Sequence, residues 1–295
     1  MKVLNFGSLN IDYVYRVERF ALPGETIPAI NMERFSGGKG LNQSVALARA
    51  GIPVAHAGCV GSDGVFLIEE LEKSGAETGK IQVLSSPSGH AIIQVDSKGE
   101  NTILLYPGAN HKITREQVDR TLEEYGEGDV LLLQNEVCEI AYIMEAAYRK
   151  GMQIFFNPSP MTEAISGYPL HLVSCFLVNG LEGASLAGTR GREAILAGIR
   201  EKYPEAQIVL TLGKDGACYD DKRGRYFHQA FPVEAVDTTA AGDTFTGYFI
   251  AQLLCGSPPD TVLRCACAAS ALAVSRMGAA PSIPYKNEVE AFLSN

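Results

Sequence analysis

The residues best placed to do chemistry lie in Asp237-Thr-Thr-Ala-Ala-Gly-Asp-Thr-Phe-Thr-Gly247. Three small residues, Ala240, Ala241 and Gly242, open a helix predicted over Ala240–Leu254 and leave the amides of its first turn uncovered. Those amides and the positive end of the helix dipole make an anion site suited to a transferring phosphate. A carboxylate in that turn, Asp243, can take a proton from a hydroxyl that faces the phosphate. A lone Asp there would only stabilise the helix dipole. Three small residues flanked by Asp237 and Asp243 point to chemistry instead.

Two other segments offer polar groups at turns. Ser36-Gly-Gly-Lys-Gly-Leu-Asn42 opens another helix; its glycines permit close approach of backbone to a ligand, and Lys39 and Asn42 can donate to hydroxyls. Read by itself it is equally a Gly-rich turn. Gly7-Ser-Leu-Asn-Ile-Asp12 follows the first apolar strand and puts Asn10 and Asp12 at a strand's carboxyl end, where α/β folds bind ligands. A simple Asx turn is the competing reading there. The chain has no GxxxxGK[ST] loop, no GxGxxG after its first strand and no GxSxG elbow, which argues against a P-loop enzyme, a dehydrogenase and an α/β-hydrolase. No HExxH pair occurs among the five histidines, and Cys265-Ala-Cys267 has the wrong spacing for a metal pair.

The elements that must position these residues alternate. Apolar runs of strand length occur at Lys2–Phe6, Val54–Val60, Val130–Leu133, Gln153–Phe156, Cys175–Val178 and Ile208–Leu212. Helical patterns lie at Gly40–Ala50, Asp63–Lys73, Arg115–Glu124, Ile140–Arg149 and Arg192–Lys202, with a further helix at Pro259–Ser275. Thr114 with Gln117 reads as a capping box, and Ser62-Asp63 as the cap of the next helix. Nearly uninterrupted apolar strands alternating with helices predict a doubly wound, mostly parallel sheet sandwiched by helices. Glu25–Phe35 and Lys80–Tyr106 break the rhythm with strand-like pieces at Ile27–Ile30, Ala91–Val95 and Thr102–Tyr106 and no helix between them. They predict a small β-sheet lid, from segments near 13–35 and 80–106, on a single domain spanning 1–295.

Composition narrows the function. The 295 residues are 46% hydrophobic and 20% charged, enough for a sizeable core and unlike a disordered chain. Lys plus Arg is 25 against 34 Asp plus Glu, a formal charge of −9 that disfavours nucleic-acid binding. No apolar run approaches the length of a spanning helix, and Asn5, Asn10 and Asp12 interrupt the N-terminus too early for a signal peptide, so no membrane is expected. Seven scattered cysteines then read as reduced residues of a cytoplasmic protein.

Five segments in order resemble the ribokinase-like (phosphofructokinase B type) family of sugar kinases, over essentially the whole chain. They are Gly7-Ser-Leu-Asn-Ile-Asp12, Leu22-Pro-Gly-Glu-Thr26, Gly37-Gly-Lys-Gly-Leu-Asn-Gln43, Gly99-Glu-Asn101 with Gly108-Ala-Asn110, and Asp237 to Phe245. The last is a specific family signature, and the first and third point to the ribokinase branch. The resemblance implies ATP-dependent phosphorylation of a small sugar, D-ribose first, with Mg²⁺ accompanying ATP and K⁺ as activating cation. Another small sugar or a nucleoside, or a non-catalytic sugar sensor, is the alternative.

The resemblance also implies roles. Asp243 would be the catalytic base, and the amides of Ala240, Ala241, Gly242 and Asp243 the anion hole. Asn10, Asp12, Gly38, Lys39, Gly40, Asn42 and Glu136 would hold the sugar. Asn179 and Glu182 would organise Mg²⁺ and phosphates through water, while Thr211, Gly213 and Gly216 receive the nucleotide beside Gly242. Cys267 stands where an Asn commonly meets adenine. Asp237, Thr239, Ala273, Arg276, Gly278 and Ser282 would surround K⁺, mainly through carbonyls. His90 and Leu105-Tyr-Pro107 depart from the family's pattern near the expected sugar pocket, and their bulk would narrow it in favour of a pentose. The lid would pair with that of a second copy in a homodimer.

Overall fold

The computed structural model describes residues 1–294, and these form thirteen strands and nine α-helices. The chain begins with β1 (Val3–Phe6), β2 (Asn10–Arg16), β3 (Asn31–Gly37), α1 (Lys39–Arg49), β4 (Val54–Gly61), α2 (Val65–Ser74) and β5 (Glu77–Leu84). It continues through β6 (Gly89–Val95), β7 (Asn101–Tyr106), α3 (Arg115–Leu122), β8 (Val130–Gln134), α4 (Ile140–Arg149), β9 (Gln153–Asn157), β10 (Cys175–Asn179), α5 (Gly180–Ala187) and α6 (Arg192–Lys202). It ends with β11 (Gln207–Thr211), β12 (Ala217–Asp221), β13 (Gly224–His228), α7 (Ala241–Leu254), α8 (Pro259–Val274) and α9 (Lys286–Ser294).

Nine strands make one sheet in the order β13-β12-β11-β10-β9-β8-β1-β4-β5. All its pairings are parallel except those of β11 with β12 and β12 with β13. Both faces are covered, which explains why strands such as Val130–Gln134 are buried throughout. Successive side chains still go to opposite cores: Leu132 packs with Val45 and Phe249 on one face, Leu131 and Leu133 with Ile143 and Ile199 on the other. The strand order reverses at β1, which pairs with β4 on one side and β8 on the other. Ligands of open α/β sheets bind beyond the carboxyl ends of strands at such a switch point.

The second sheet has the order β3-β2-β6-β7. Its makeup corrects three expectations. The segment 80–84 belongs to β5, at the edge of the large sheet, because Lys80–Leu84 pair with Ala57–Gly61. Ile27–Ile30 is not a strand; the strand is the polar Asn31–Gly37 that follows. Asn10–Asp12 is not an Asx turn but the start of a seven-residue strand, and the Asn10 side chain serves Asn110 instead of its own backbone.

Two helix starts also differ. Thr114 Oγ1 accepts from the Gln117 amide at 3.2 Å, but the Gln117 side chain turns away to donate to Gly58 O, so only half of that capping box forms. Asp63 caps no helix and holds the Ser88 amide and hydroxyl. The complete capping box lies at Asn179 and Glu182. No helix among the described residues is long and apolar enough to cross a membrane.

Candidate active site

α7 starts from Ala240, whose φ of 59° places a non-glycine residue in the left-handed region. Such backbone is costly unless its surroundings impose it, and it clusters at functional sites. The first turn of α7 borders a cavity of about 240 Å³ lined by Ala240, Ala241, Gly242, Asp243, Asn179 and Lys39 among others. The first intrahelical bond runs from the Thr244 amide to Ala240 O at 2.8 Å. The Ala241 amide is engaged by Thr238 O at 3.3 Å. Gly242 and Asp243 supply first-turn amides with no carbonyl four residues back in the helix.

Asp243 is buried, with both carboxylate oxygens held. Asn42 Nδ2 donates to Oδ2 at 3.1 Å and Gln43 Nε2 to Oδ1 at 2.9 Å. Both donors come from α1, which packs against α7 through Gly247: a Cβ there would stand 2.4 Å from Ala46 Cβ. Lys39, at the start of α1, carries the nearby positive charge. Asp243 is the first cause that holds its ammonium above the ordinary value, aided by Glu136 and Glu182 and opposed by burial. One cation therefore feels carboxylates from three elements.

The polar group on the far side of Lys39 is built at the switch point. Glu136, just past β8, accepts from the Ser8 hydroxyl and from the Lys39 amide at 2.9 Å. Burial pushes its carboxyl up, against the pull of Lys39. Asp12, on β2, is pushed up to about 7 by burial and then by the neighbouring Glu136. Asn10 Oδ1 accepts from Asn110 Nδ2 at 2.7 Å, and Asn110 Oδ1 from the Leu9 amide at 2.9 Å. Asn42 Oδ1 is buried with no partner among the described residues. Gly38 has a φ of 94°, and a Cβ on Gly40 would stand 2.3 Å from the Ser8 amide nitrogen, so the turn needs both glycines.

The lid register settles which residues face this group. Asp12 pairs with Ala91, and Ala91 with Leu105, so these three share a face. His90 pairs with Ile11 and Tyr106 and lies on the opposite face, with its ring 5.9 Å from that of Tyr13. His90 therefore does not narrow the pocket, and Leu105 is the bulky side chain on Asp12's side.

A second cavity of about 660 Å³ adjoins the first, and both are lined by Thr211, Thr238, Ala241, Gly242 and Phe245. Its walls include Gly213, Gly216 and Cys267, and its volume suits a drug-sized ligand. Gly216, with φ of 102°, could not carry a Cβ without meeting His228 O at 2.1 Å. Asn179 and Glu182 reach the first cavity while bonded to each other. The Asn179 side-chain oxygen accepts from the Leu181 and Glu182 amides, and Glu182 accepts from the Asn179 amide and side chain. Asp237 ties a neighbouring loop: it accepts from the Thr239 amide and hydroxyl and from the Gly278 amide at 3.0 Å. Burial opposes those bonds, yet its carboxyl ends below its ordinary value. The Arg276 side chain turns to Glu288, and the Ser282 hydroxyl to Ala279 O.

A family model described as pfkB family carbohydrate kinase matches residues 1–286. The chain belongs to this family. It is a sugar kinase, a phosphotransferase. Ribokinase of Haemophilus influenzae is 34% identical to this kinase, over 98% of this chain and 97% of that one. A solved structure of ribokinase from Thermotoga maritima is 34% identical and superimposes with a TM-score of 0.88, covering 100% of this chain and 99% of that one. The Arabidopsis thaliana ribokinase structure, complexed with ribose and ATP, matches at 28% identity and a TM-score of 0.89 with the same coverage.

Residues that sequence reasoning left without a role also gather here. Asn110 and Gln43 lie inside segments that carried the resemblance and Gln134 directly follows the apolar run Val130–Leu133, but their work is done by side chains in the interior. Ser8 lies in the first of those segments without a role assigned to it, and Asn157 gave no signal of its own.

Proposed function

We propose that this kinase transfers the γ-phosphoryl group of ATP to the 5-hydroxyl of D-ribose, giving D-ribose 5-phosphate and ADP. The observation that carries the reading is the position of Asp243. It sits in the first turn of α7, between a nucleotide-sized cavity and the Asp12–Glu136–Lys39 group. The relatives reported above support ribose and ATP, since one of them is complexed with both.

Each residue then has a task. Asp12 and Glu136 accept from ring hydroxyls while Lys39 and Asn42 donate, with Asn10 and the Gly38–Gly40 turn shaping the wall. Asp243 takes the proton of the attacking hydroxyl as the new oxygen–phosphorus bond forms and the bond to the β-phosphate oxygen breaks. First-turn amides at Ala240–Asp243 accept the charge on the phosphoryl oxygens, with Gly242 and Asp243 best placed. Thr211, Gly213, Gly216 and Cys267 line the nucleotide's base and ribose side. Mg²⁺ would enter with ATP and be held through water by Glu182 and Asn179, whose carboxylate and amide oxygens suit a hard cation, and it would neutralise phosphate charge. K⁺ would sit among carbonyls of Asp237, Thr239, Ala273, Arg276, Gly278 and Ser282, a loop that Asp237 already gathers.

Among the described residues Lys39 is the only cation lining the first cavity, which favours an acceptor without a phosphate of its own. A panel of D-ribose, 2-deoxyribose, arabinose, xylose, fructose and adenosine, with product identified by NMR, tests the substrate. D-ribose should give the highest kcat/KM. A hexose or a nucleoside that exceeds it by about tenfold, more than a methylene-sized difference in fit supplies, refutes ribose as the substrate.

A further inference from the structure

Behind Asp243 a chain of buried side chains runs through the interior beneath α1. Gln43 Nε2 donates to Asp243 Oδ1 at 2.9 Å and to Asn157 Oδ1 at 3.3 Å, which uses both its hydrogens. Its carbonyl, Oε1, accepts from Gln134 Nε2 at 2.7 Å. Gln134 gives its other hydrogen to Asn5 Oδ1 at 3.0 Å, and Asn5 donates to Gly40 O and Ser44 Oγ, both at 2.8 Å. Ser44 Oγ lies 2.8 Å from His56 Nδ1, and His56 Nε2 lies 3.2 Å from Gly7 O.

The direction of every bond follows from the far end. Gly7 O can only accept, so His56 Nε2 carries the proton and Nδ1 accepts from Ser44. Burial pushes the His56 pKa down to about 4, which keeps the ring neutral at neutral pH. With its proton spent on His56, Ser44 accepts from Asn5, and Asn5 can only present its oxygen to Gln134. Gln134 must then turn its N–H groups outward to two acceptors. Its own oxygen is left buried with no partner among the described residues. An unpaired buried carbonyl is costly, and the neighbouring β8 residues are leucines, so packing alone would be better served by an apolar side chain.

The arrangement decides one orientation at the site. The Gln43 amide has two orientations of nearly equal shape, and the flipped one would aim a carbonyl oxygen at the Asp243 carboxylate. Gln134 excludes that flip by donating into Gln43 Oε1. We propose that Gln134 is a positioning residue for phosphoryl transfer, acting through Gln43 to fix the Asp243 carboxylate for its proton. The proposal rests on the reading of Asp243 as the base.

The test is steady-state kinetics on Gln43→Met, Gln134→Met and the double variant, with Asp243→Asn alongside and thermal unfolding of each. Misplacing a reacting group by about 1 Å costs on the order of 10²-fold, so each single variant should lower kcat about tenfold to a hundredfold. KM for both substrates should stay within about twofold, because neither side chain reaches them. The double variant should be no slower than Gln43→Met, since Gln134 acts only through Gln43. Should Gln134→Met not fold, Gln134→Glu keeps the shape and draws the Gln43 N–H toward itself, and it should lose kcat at least as much. Wild-type kcat in a folded Gln134 variant, with or without a lower Tm, overturns the proposal while an inactive Asp243→Asn leaves the base reading intact. Additive losses in the double variant overturn it too. An Asp243→Asn enzyme with full turnover removes the base reading and this proposal together.

Discussion

The main-chain amide of Lys39 donates to the carboxylate of Glu136 at 2.9 Å, across 97 residues of sequence. That bond fastens the Gly-rich turn before α1 to the carboxyl end of β8. It also fixes the Glu136 carboxyl beside Asp12, whose own carboxyl is raised to about 7 by burial and by Glu136.

Sugar binding should therefore depend on pH near neutrality. Asp12 accepts hydrogen bonds through both oxygens only when ionised, and below about pH 7 the free enzyme holds it protonated. kcat/KM for the sugar should rise from pH 6 to pH 8 with an apparent pKa near 7. Asp12→Asn should have a low sugar kcat/KM that is flat over that range, with KM for ATP little changed. A wild-type profile identical in shape to that of Asp12→Asn would exclude Asp12 as the titrating group.

Gly37 offers a second way to disturb the same carboxylate. A Cβ at that position would stand 2.0 Å from Asp12 Oδ2 and 2.4 Å from its Cγ. Its φ lies outside the left-handed region, so Gly37→Ala changes contacts and not backbone strain. Asp12 must swing away. Sugar KM should rise about tenfold or more, the effect of losing one charged hydrogen bond of roughly 1.5–3 kcal/mol, while the nucleotide KM holds. Unchanged sugar KM would show that Asp12 does not contact the substrate.

Much of the architecture was legible because it is written in local patterns. Apolar runs such as Val130–Leu133, alternating with helical patterns, read as strands buried on both faces, and the helix expected after Ala240 runs from Ala241 to Leu254. The lid was harder. Asn31–Gly37 is an edge strand, mostly exposed, so no apolar alternation marks it, whereas the more apolar Ile27–Ile30 beside it is irregular. Asp63 and Gln117 looked like caps because caps are the commonest local use of such residues, but both are claimed by distant partners, Ser88 and Gly58. Gln43, Gln134 and Asn110 were hidden for the same reason. Their hydrogen bonds span roughly a hundred or more residues in most cases, and no spacing rule reaches that far.

The monovalent-cation proposal has its own test. Asp237 binds the Thr239 and Gly278 amides and so joins the loop before α7 to the loop after α8. An ion among their carbonyls would stiffen the loop that leads to the first-turn amides. Turnover should rise when K⁺ replaces Na⁺ or a bulky organic cation at constant ionic strength. Equal rates in all three salts refute the site.

The lid carries apolar residues on both faces. Ile103 and Leu105 share Asp12's face, Leu104 lies on the other, and all three are exposed in the single chain. Exposed apolar strand surface at a sheet edge is normally covered. A second copy's lid is the proposed cover, and light scattering at micromolar concentration should give twice the chain's mass. A single-chain mass would contradict it.

The most direct measurement is the turnover of Asp243→Asn with D-ribose and ATP, beside a nucleotide-binding titration of the same protein. The amide keeps the shape of the site and the first-turn amides of α7, so nucleotide affinity should stay within a few-fold of wild type. kcat should fall by about 10²–10⁴, the range for loss of a general base. A variant that binds nucleotide normally and keeps more than about a tenth of wild-type kcat would contradict Asp243 as the base.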